Sequence, residues 1–166
     1  MLTLAPTEDC KQTPAPAGAL VFAEETFPDA WPEFVQLGVK HWCETEMYRA
    51  GDQMNPDEER YTNFNHHGMY RFFSVRSNGR MVGYCGMYIM RSMHSQKTVA
   101  TEDAWFLLPE FRKGRNAIRF YQYVERQMKD AGAARITMST KITNKAGRIL
   151  TYLGYSHFAN QYTKEI

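Results

Sequence analysis

The sequence has few cysteines and no long apolar run. Its three cysteines, Cys10, Cys43 and Cys85, are an odd number without framework spacing, which argues against a disulfide scaffold and favours a reducing compartment. No stretch approaches the roughly 20 apolar residues of a membrane-spanning helix. The first residues also lack the basic start and continuous apolar run of a signal peptide. These features predict a cytoplasmic protein that does not enter a membrane.

A strong net charge is also missing. The chain carries 20 Lys and Arg against 18 Asp and Glu, a net charge of +2, whereas nucleic-acid-binding domains concentrate basic side chains on one face. Aromatic residues make up 14% of the chain, but most fall at alternating or helical core positions rather than beside a basic groove. Nucleic acid is therefore not the expected partner.

The chain length fits one domain with one hydrophobic core. Its 166 residues contain no internal repeat and no linker between domains. We predict a flexible N-terminal segment over residues 1–20 and a single domain over residues 21–166, with one functional site.

The first half of the domain begins with helical patterns. Apolar residues recur at three- and four-residue steps from Pro28 to Ala50 and predict a helix that begins near Asp29 with one apolar stripe. That stripe comprises Trp31, Phe34, Val35, Val39, Trp42, Cys43 and Met47. A short second helix is predicted over residues 57–64, directly after Pro56.

Strand patterns follow the two helices. The aromatic-rich residues 69–75 and 80–90 are joined by Ser77-Asn78-Gly79, and Asn-Gly favours the tight turn of an antiparallel hairpin. A third strand over residues 98–108 ends at Pro109, because proline cannot donate to a central ladder.

The last third alternates helix and strand. Apolar residues at helical spacing predict a helix that ends at Gly132. The face comprises Ile118, Tyr121, Val124, Met128 and Ala131. Residues 135–140 predict a strand, residues 144–153 a helix that Gly154 ends, and residues 155–166 a closing extended segment. The order predicts an α+β or mixed α/β arrangement, with helices covering a mixed sheet.

The step from strand to helix at residues 107–117 is the strongest chemical feature. The first N–H groups of a helix lack internal partners and carry partial positive charge, so they can hold a phosphate. Gly114 lets a ligand approach the backbone, and Arg112, Lys113 and Arg115 add cationic groups. The alternative is a solvated basic turn at the surface.

Three stretches resemble a known family. Residues 103–117 resemble the fourth strand and pyrophosphate loop of GNAT acetyltransferases. The third strand of that family resembles Gly79-Arg80-Met81-Val82-Gly83-Tyr84, and its last helix resembles Asn144 with Tyr152-Leu153-Gly154-Tyr155. Further short stretches, among them Met54-Asn55-Pro56-Asp57 and Met138-Ser139-Thr140-Lys141, are similar to a subgroup often encoded by tailed bacteriophages. The resemblance implies the GNAT fold, with a mostly antiparallel mixed sheet flanked by helices.

The resemblance also implies acetyl-CoA as cosubstrate, an amine as acceptor and no metal. According to this resemblance, the backbone of Leu107 and Leu108 would contact the pantetheine arm and polarise the thioester carbonyl. Asn144 would add a further contact with the cofactor. The pyrophosphate would lie on Arg112, Lys113, Gly114, Arg115, Asn116 and Ala117. Here Gly114 stands one position earlier than the glycine of the family pattern, so side chains would hold more of the phosphate.

Acyl transfer to an amine needs a base for the amine and an acid for the leaving thiolate. Asp103 and Glu102 lie on the strand that leads into the site, and since neighbouring side chains alternate, only one can face the cleft. We rank Asp103 first; His94 is a further candidate base, though a lone histidine is more often structural. The family's tyrosine acid falls at Leu150, which leaves Tyr152 or solvent as proton donor.

Other functions are also possible. A zinc site made of His41, Cys43, His66 and His67 is disfavoured, because His41 and Cys43 do not share a helical face. A non-catalytic GNAT-fold interaction or virion-associated protein is the main alternative. The acceptor is open among a small molecule, a protein amine and a modified base, and the closing segment could pair in a homodimer.

Overall fold

A five-stranded sheet with strand order β1-β2-β3-β4-β5 forms the centre of the computed structural model, which describes residues 18–46 and 53–164. The strands are β1 Leu20–Glu25, β2 Tyr70–Ser77, β3 Arg80–Arg91, β4 Thr98–Leu107 and β5 Arg135–Thr137. The helices are α1 Phe27–Thr45, α2 Glu58–His66, α3 Asn116–Asp130 and α4 Ala146–Tyr152, with a short 3₁₀ turn at Pro109–Phe111.

Helices cover both faces of this sheet. On one face, Phe34 of α1 lies edge-on to Phe72 of β2, with ring centroids 5.7 Å apart. On the other face, Phe120 of α3 packs against Phe22 of β1 and Trp105 of β4, at 5.6 Å in each case. β4 and β5 run parallel and the other neighbours antiparallel, which confirms the predicted mixed sheet flanked by helices.

Local turn and cap chemistry explains where most elements begin and end. Asn78 and Gly79 both have positive φ, 52° and 79°, as the tight turn predicted between β2 and β3 requires. Gly132 and Gly154 have φ of 77° and 91° and follow α3 and α4 as predicted. α2 begins after Asp57, whose side chain accepts a hydrogen bond from the Arg60 N–H.

The apolar face of α1 differs from the predicted stripe. The helix begins at Phe27, because the Thr26 side chain caps it by accepting from the Asp29 N–H. Phe27, Ala30, Phe34, Leu37 and Gly38 are buried, whereas Val39, placed on the predicted stripe, is 44% exposed. The buried face is thus rotated about the helix axis: Phe34 of the predicted stripe is buried, and Trp31 and Val35 are partly buried against the core. Met47–Ala50 lie outside the described residues.

Both ends of the sheet differ from the sequence prediction. β1 was not predicted as a strand; it is a six-residue edge strand that pairs antiparallel with β2, from Leu20 opposite Ser77 to Glu25 opposite Phe72. β5 stops at Thr137 instead of Thr140, because it pairs only with Val99–Thr101. The extended segment predicted at the end of the chain adds no strand to the sheet, since residues 155–164 are not assigned to any strand and Phe158 and Tyr162 are exposed.

Two further predictions concern the ends of the chain and the membrane. Residues 1–17, most of the predicted flexible segment, lie outside the described residues. Within the described parts of the chain, no helix has the length and hydropathy needed to cross a bilayer.

Candidate active site

β4 extends beyond the end of β5, and we call the unpaired edge of β4 past that point the wedge. Their pairing ends at Thr101 opposite Thr137, but β4 continues to Leu107. The Leu108 N–H donates to the Val82 carbonyl at 2.9 Å. Since hydrogen bonds of an antiparallel pair alternate between the two sides, the peptide groups of Leu107 and Trp105 face the open edge. The Leu107 N–H therefore points to this edge, although Leu107 as a residue is buried, whereas the Leu108 N–H is already used within the sheet.

A β-bulge lies where the wedge opens. Gly86 pairs with Ala104 and Met87 pairs with Glu102, so Asp103 is an extra residue without a cross-strand partner. A bulge re-aims the side chains beside it, and here Glu102 and Asp103 contact different neighbours. The bulge thus gives the two candidate bases different neighbours.

The Asp103 carboxylate lies among tyrosines from three other elements. Its Oδ2 accepts hydrogen bonds from the hydroxyls of Tyr61 and Tyr70, at 3.0 and 3.1 Å. Burial raises the pKa of Asp103, while the hydroxyls of Tyr61, Tyr70 and Tyr88 oppose that shift. The hydroxyls compensate the carboxylate for lost water, so a charge can exist at this position.

Glu102 has a different environment. Its Oε2 accepts from the Ser139 N–H at 3.0 Å and from the Ser139 hydroxyl at 2.7 Å. Burial raises its pKa, and the two bonds from Ser139 oppose the shift. Because Ser139 follows β5 and Glu102 lies on β4, this contact ties the two strands together where their pairing ends. Of the two carboxylates, Asp103 is the one not engaged across the wedge.

The loop after β4 presents backbone donors. The N–H groups of Lys113, Gly114 and Arg115 donate to no acceptor among the described residues, and no side chain caps the start of α3. Gly114 has φ of 60°, and a Cβ added there would meet no atom within 4 Å. Glycine is thus required here by backbone conformation rather than by close packing. Asn116 supports the loop by donating from its Nδ2 to the Phe111 carbonyl at 3.0 Å.

Arg112 is held by contacts within the protein. Its Nε donates to the Leu107 carbonyl at 2.6 Å, and its two terminal nitrogens each donate to Glu44 of α1 at 2.7 Å. The guanidinium also lies 5.4 Å from the Phe106 ring centre. This side chain joins the loop to α1, whereas the side chains of Lys113 and Arg115 are exposed and form no ion pair with a described residue.

The remaining predicted site residues lie apart from this centre or serve locally. His94 is exposed in the turn between β3 and β4, and Asp103 lies five positions, roughly 17 Å, along β4 from its first residue, Thr98. Tyr152 ends α4 and is 65% exposed. Asn144 accepts from the Ala146 N–H at 2.9 Å and so stabilises the start of α4. The structure brings Asp103 and the 107–117 loop to one wedge, but not His94.

Sequence reasoning missed a polar pair that joins α1 to β3. His41 Nδ1 lies 2.8 Å from the Tyr84 hydroxyl, and its ring stacks on Phe106 at 4.8 Å. Burial lowers the pKa of His41 to about 4 despite the nearby Glu44 and Glu46, so the ring is neutral at pH 7. No local pattern signals this pair, because 43 residues separate its members. In the described residues, no three His, Cys, Asp or Glu side chains are grouped to hold a metal ion.

Known structures share this architecture. An aminoglycoside acetyltransferase, HMB0005, from an uncultured soil metagenomic sample is 12% identical, with a TM-score of 0.70 over 89% of this chain and 99% of its own. Ribosomal-protein-alanine N-acetyltransferase from Brucella melitensis biovar Abortus 2308 is 16% identical, with a TM-score of 0.64 over 89% and 98%. Glucosamine-6-phosphate N-acetyltransferase from Arabidopsis thaliana is 12% identical, with a TM-score of 0.65 over 89% and 98%.

Sequence comparison gives the family. No curated protein matches the chain, and the identities to the solved structures are low enough that they show the fold alone. The acetyltransferase (GNAT) family model, however, matches residues 25–155, which include the wedge, the bulge and the loop after β4. The chain therefore belongs to the GNAT family of acetyltransferases.

Proposed function

We propose that this acetyltransferase transfers the acetyl group of acetyl-CoA directly to a primary amine bound beside it, without an acyl-enzyme. The observation that carries the proposal is the edge of β4 beyond its pairing with β5, to which the Leu107 N–H points, followed by unpaired N–H groups in the loop and preceded by the Asp103 carboxylate. These groups supply an oxyanion donor, an anion site and a proton acceptor along one strand.

Family membership implies acetyl-CoA as cosubstrate, and the residues of the loop fit its pyrophosphate. Lys113, Gly114 and Arg115 present unsatisfied N–H groups at the start of a 15-residue helix, whose dipole favours an anion. In this proposal Asn116 and Ala117 shape the first turn of α3, and Arg112 acts by holding the loop against α1. Asn144, at the start of α4, is the predicted contact beyond the loop.

The Leu107 N–H is proposed to donate to the thioester carbonyl oxygen and to stabilise the negative charge that develops there. The amine reaches the site as an ammonium ion and loses one proton to Asp103. As its nitrogen forms the new C–N bond, a second proton is released to solvent and the C–S bond breaks. The departing sulfur takes a proton from water or from the exposed Tyr152.

Acetyl-CoA binding is the first test, by calorimetric titration of the purified chain. We expect saturable micromolar binding that Arg115→Ala weakens, because Arg115 lies at the start of α3. Lys129→Ala is the matched control, since it removes an exposed cation from the last turn of the same helix. No binding at millimolar acetyl-CoA would contradict the proposal and favour a non-catalytic interaction protein.

The acceptor and the cell compartment are also proposals. An aminoglycoside, a ribosomal protein and a sugar phosphate appear in the names of similar structures, so fold similarity does not choose among amines. We place the protein in the cytoplasm, where acetyl-CoA is supplied. A phage origin and a homodimer remain predictions of the sequence.

A further inference from the structure

We infer that Arg112 is a positioning residue for the proposed reaction, because it occupies the Leu107 carbonyl and so leaves only the Leu107 N–H to face a ligand at the wedge. This inference rests on the proposed function and deepens it. It assigns Arg112 to the polarisation of the thioester carbonyl rather than to the binding of phosphate.

Leu107 is the last residue of β4, and its outer edge lies beyond the end of β5. In an antiparallel ladder the N–H and C=O of one residue point to the same side, so both polar groups of Leu107 point away from β3. β5 pairs with β4 only as far as Thr101. In the described part of the sheet, no strand therefore supplies a donor for the Leu107 carbonyl on that side.

Arg112 supplies the missing donor from the loop. Its Nε donates to the Leu107 carbonyl at 2.6 Å, although the two residues are five positions apart. The 3₁₀ turn folds the chain back far enough for this contact. In that turn the N–H groups of Phe111 and Arg112 donate to the carbonyls of Leu108 and Pro109, at 2.9 and 3.2 Å.

Both ends of the peptide unit between Leu107 and Leu108 are therefore held. Its carbonyl accepts from Arg112, and its N–H donates to the Val82 carbonyl at 2.9 Å. The guanidinium is oriented in turn by Glu44, which accepts from both terminal nitrogens at 2.7 Å. This planar fork on the carboxylate leaves the Nε–H directed at β4.

The other cations of the loop have a different arrangement. Lys113 and Arg115 form no ion pair with a described residue, and their backbone N–H groups lie at the start of α3. They are thus available to an anion, whereas Arg112 is engaged by Leu107 and Glu44. The loop therefore divides its cations between phosphate binding and the support of β4.

The contact changes what the wedge offers to a thioester. Without a donor, the Leu107 carbonyl would present its lone pairs on the same side of β4 as the oxygen on which negative charge develops, and charges of like sign repel. With Arg112 on that carbonyl, the N–H is the group of Leu107 left to donate. Donors that are fixed before the reaction stabilise the developing charge without reorganisation.

The carbonyl stretching frequency of bound acetyl-CoA tests the inference. Infrared difference spectra with acetyl-CoA labelled at the acetyl carbonyl carbon report the hydrogen bonding of that carbonyl, with no acceptor present. We expect a lower frequency on the wild-type chain than in free acetyl-CoA. Arg112→Lys keeps the charge but cannot reproduce the fork, so it should lose most of this shift. Acetyl-CoA affinity should change less than about threefold, because the ion pair with Glu44 is exposed.

Two control variants make the test specific. Arg71→Lys is the matched control, since Arg71 also donates to a backbone carbonyl, that of Gln127 at 3.0 Å, and to Glu24 at 2.7 Å, but near the other end of α3. It should leave both frequency and affinity unchanged. Arg115→Ala should lower the affinity, yet the acetyl-CoA that still binds should keep the wild-type frequency.

Three results would overturn the inference. They are a wild-type carbonyl frequency equal to that of free acetyl-CoA, a full shift retained in Arg112→Lys, and an equal loss of the shift in Arg71→Lys. A wild-type chain that binds no acetyl-CoA would contradict the proposed function itself. Binding with a shift that does not depend on Arg112 would refute only the positioning role, so the two failures are distinguishable.

Discussion

Gly86→Ala is the substitution that tests most directly how the fold builds the candidate site. Gly86 faces the buried Tyr70 side chain, and a Cβ at this position would lie 2.5 Å from Tyr70 Cζ and closer still to the hydroxyl oxygen. The Tyr70 ring cannot swing aside easily, since it is packed between Phe27 and Tyr88 at 5.8 and 5.1 Å. Absence of a side chain at residue 86 thus allows the Tyr70 hydroxyl to reach Asp103.

Two costs follow from the added methyl group. Overpacking of a tight core costs about 1–3 kcal/mol, and loss of the Tyr70 hydrogen bond to a charged group costs about 1.5–3 kcal/mol. We therefore expect Gly86→Ala to lower the free energy of unfolding by about 2.5–6 kcal/mol. For a chain of this length the midpoint of thermal unfolding should fall by at least about 5 °C.

A double-mutant cycle with Tyr70→Phe separates the two costs. Removal of the hydroxyl leaves the ring carbon at 2.5 Å as the nearest atom to the new methyl group. The double variant should therefore be less destabilised than the sum of the single variants, by about 0.5–3 kcal/mol. The free energies come from urea unfolding of the four proteins.

Gly147→Ala in α4 is the matched control. A Cβ at residue 147 would meet the Thr140 hydroxyl at 3.6 Å, an ordinary contact. Alanine is the better helix former, so this variant should be unchanged or stabilised by up to about 1 kcal/mol. A Gly86→Ala protein as stable as the wild type, or strictly additive costs in the cycle, would refute the placement of Tyr70 against residue 86.

The remaining predictions concern the loop after β4, the candidate base Asp103, the ion pair between Arg112 and Glu44, and the buried His41. Gly114→Val should lower stability by about 1–2 kcal/mol through its positive φ and weaken acetyl-CoA binding; unchanged titration curves would count against the loop as the phosphate site. Asp103→Asn should lower kcat far more than acetyl-CoA affinity, and a fully active variant would remove Asp103 as the base. Glu44→Gln should change stability by less than about 1 kcal/mol, because the ion pair with Arg112 is exposed, and should leave acetyl-CoA affinity nearly unchanged; a large gain in affinity would indicate that Arg112 itself binds phosphate. Burial depresses the folded-state pKa of His41, so the stability linked to its neutral form should be fully present above pH 6.5. Up to about 3 kcal/mol of the free energy of unfolding should be lost as the pH falls towards 4. Urea unfolding of His41→Gln at several pH values should lack this part of the pH dependence.

The sequence predicted those features that depend on neighbouring residues. The β2–β3 turn depends on Asn78 and Gly79, and the helix ends depend on Gly132 and Gly154. The loop after β4 is likewise a single contiguous stretch, so its residues and its place before a helix were readable. Each of these features is determined by the backbone preferences of a few adjacent residues.

Features that depend on distant pairing were not readable. β1 exists because residues 20–25 pair with a strand about 50 residues away, and tertiary packing rather than hydrophobic spacing decides which face of α1 is buried. Tyr61 and Tyr70 are 42 and 33 residues from Asp103, and Glu44 is 68 residues from Arg112. Nothing in the local sequence around either partner signals such contacts.

The bulge at Asp103 connects the shape of the wedge with its chemistry. Because side chains alternate along a strand, an extra residue changes which neighbours the following side chains meet. Here it lets Glu102 reach Ser139 and hold β5 near β4, while Asp103 reaches Tyr61 and Tyr70. A regular strand would have to place one of these carboxylates without its partners, and an unpaired buried carboxylate is costly. This irregularity at the unpaired edge of β4 thus allows two consecutive acidic residues each to reach its own partners.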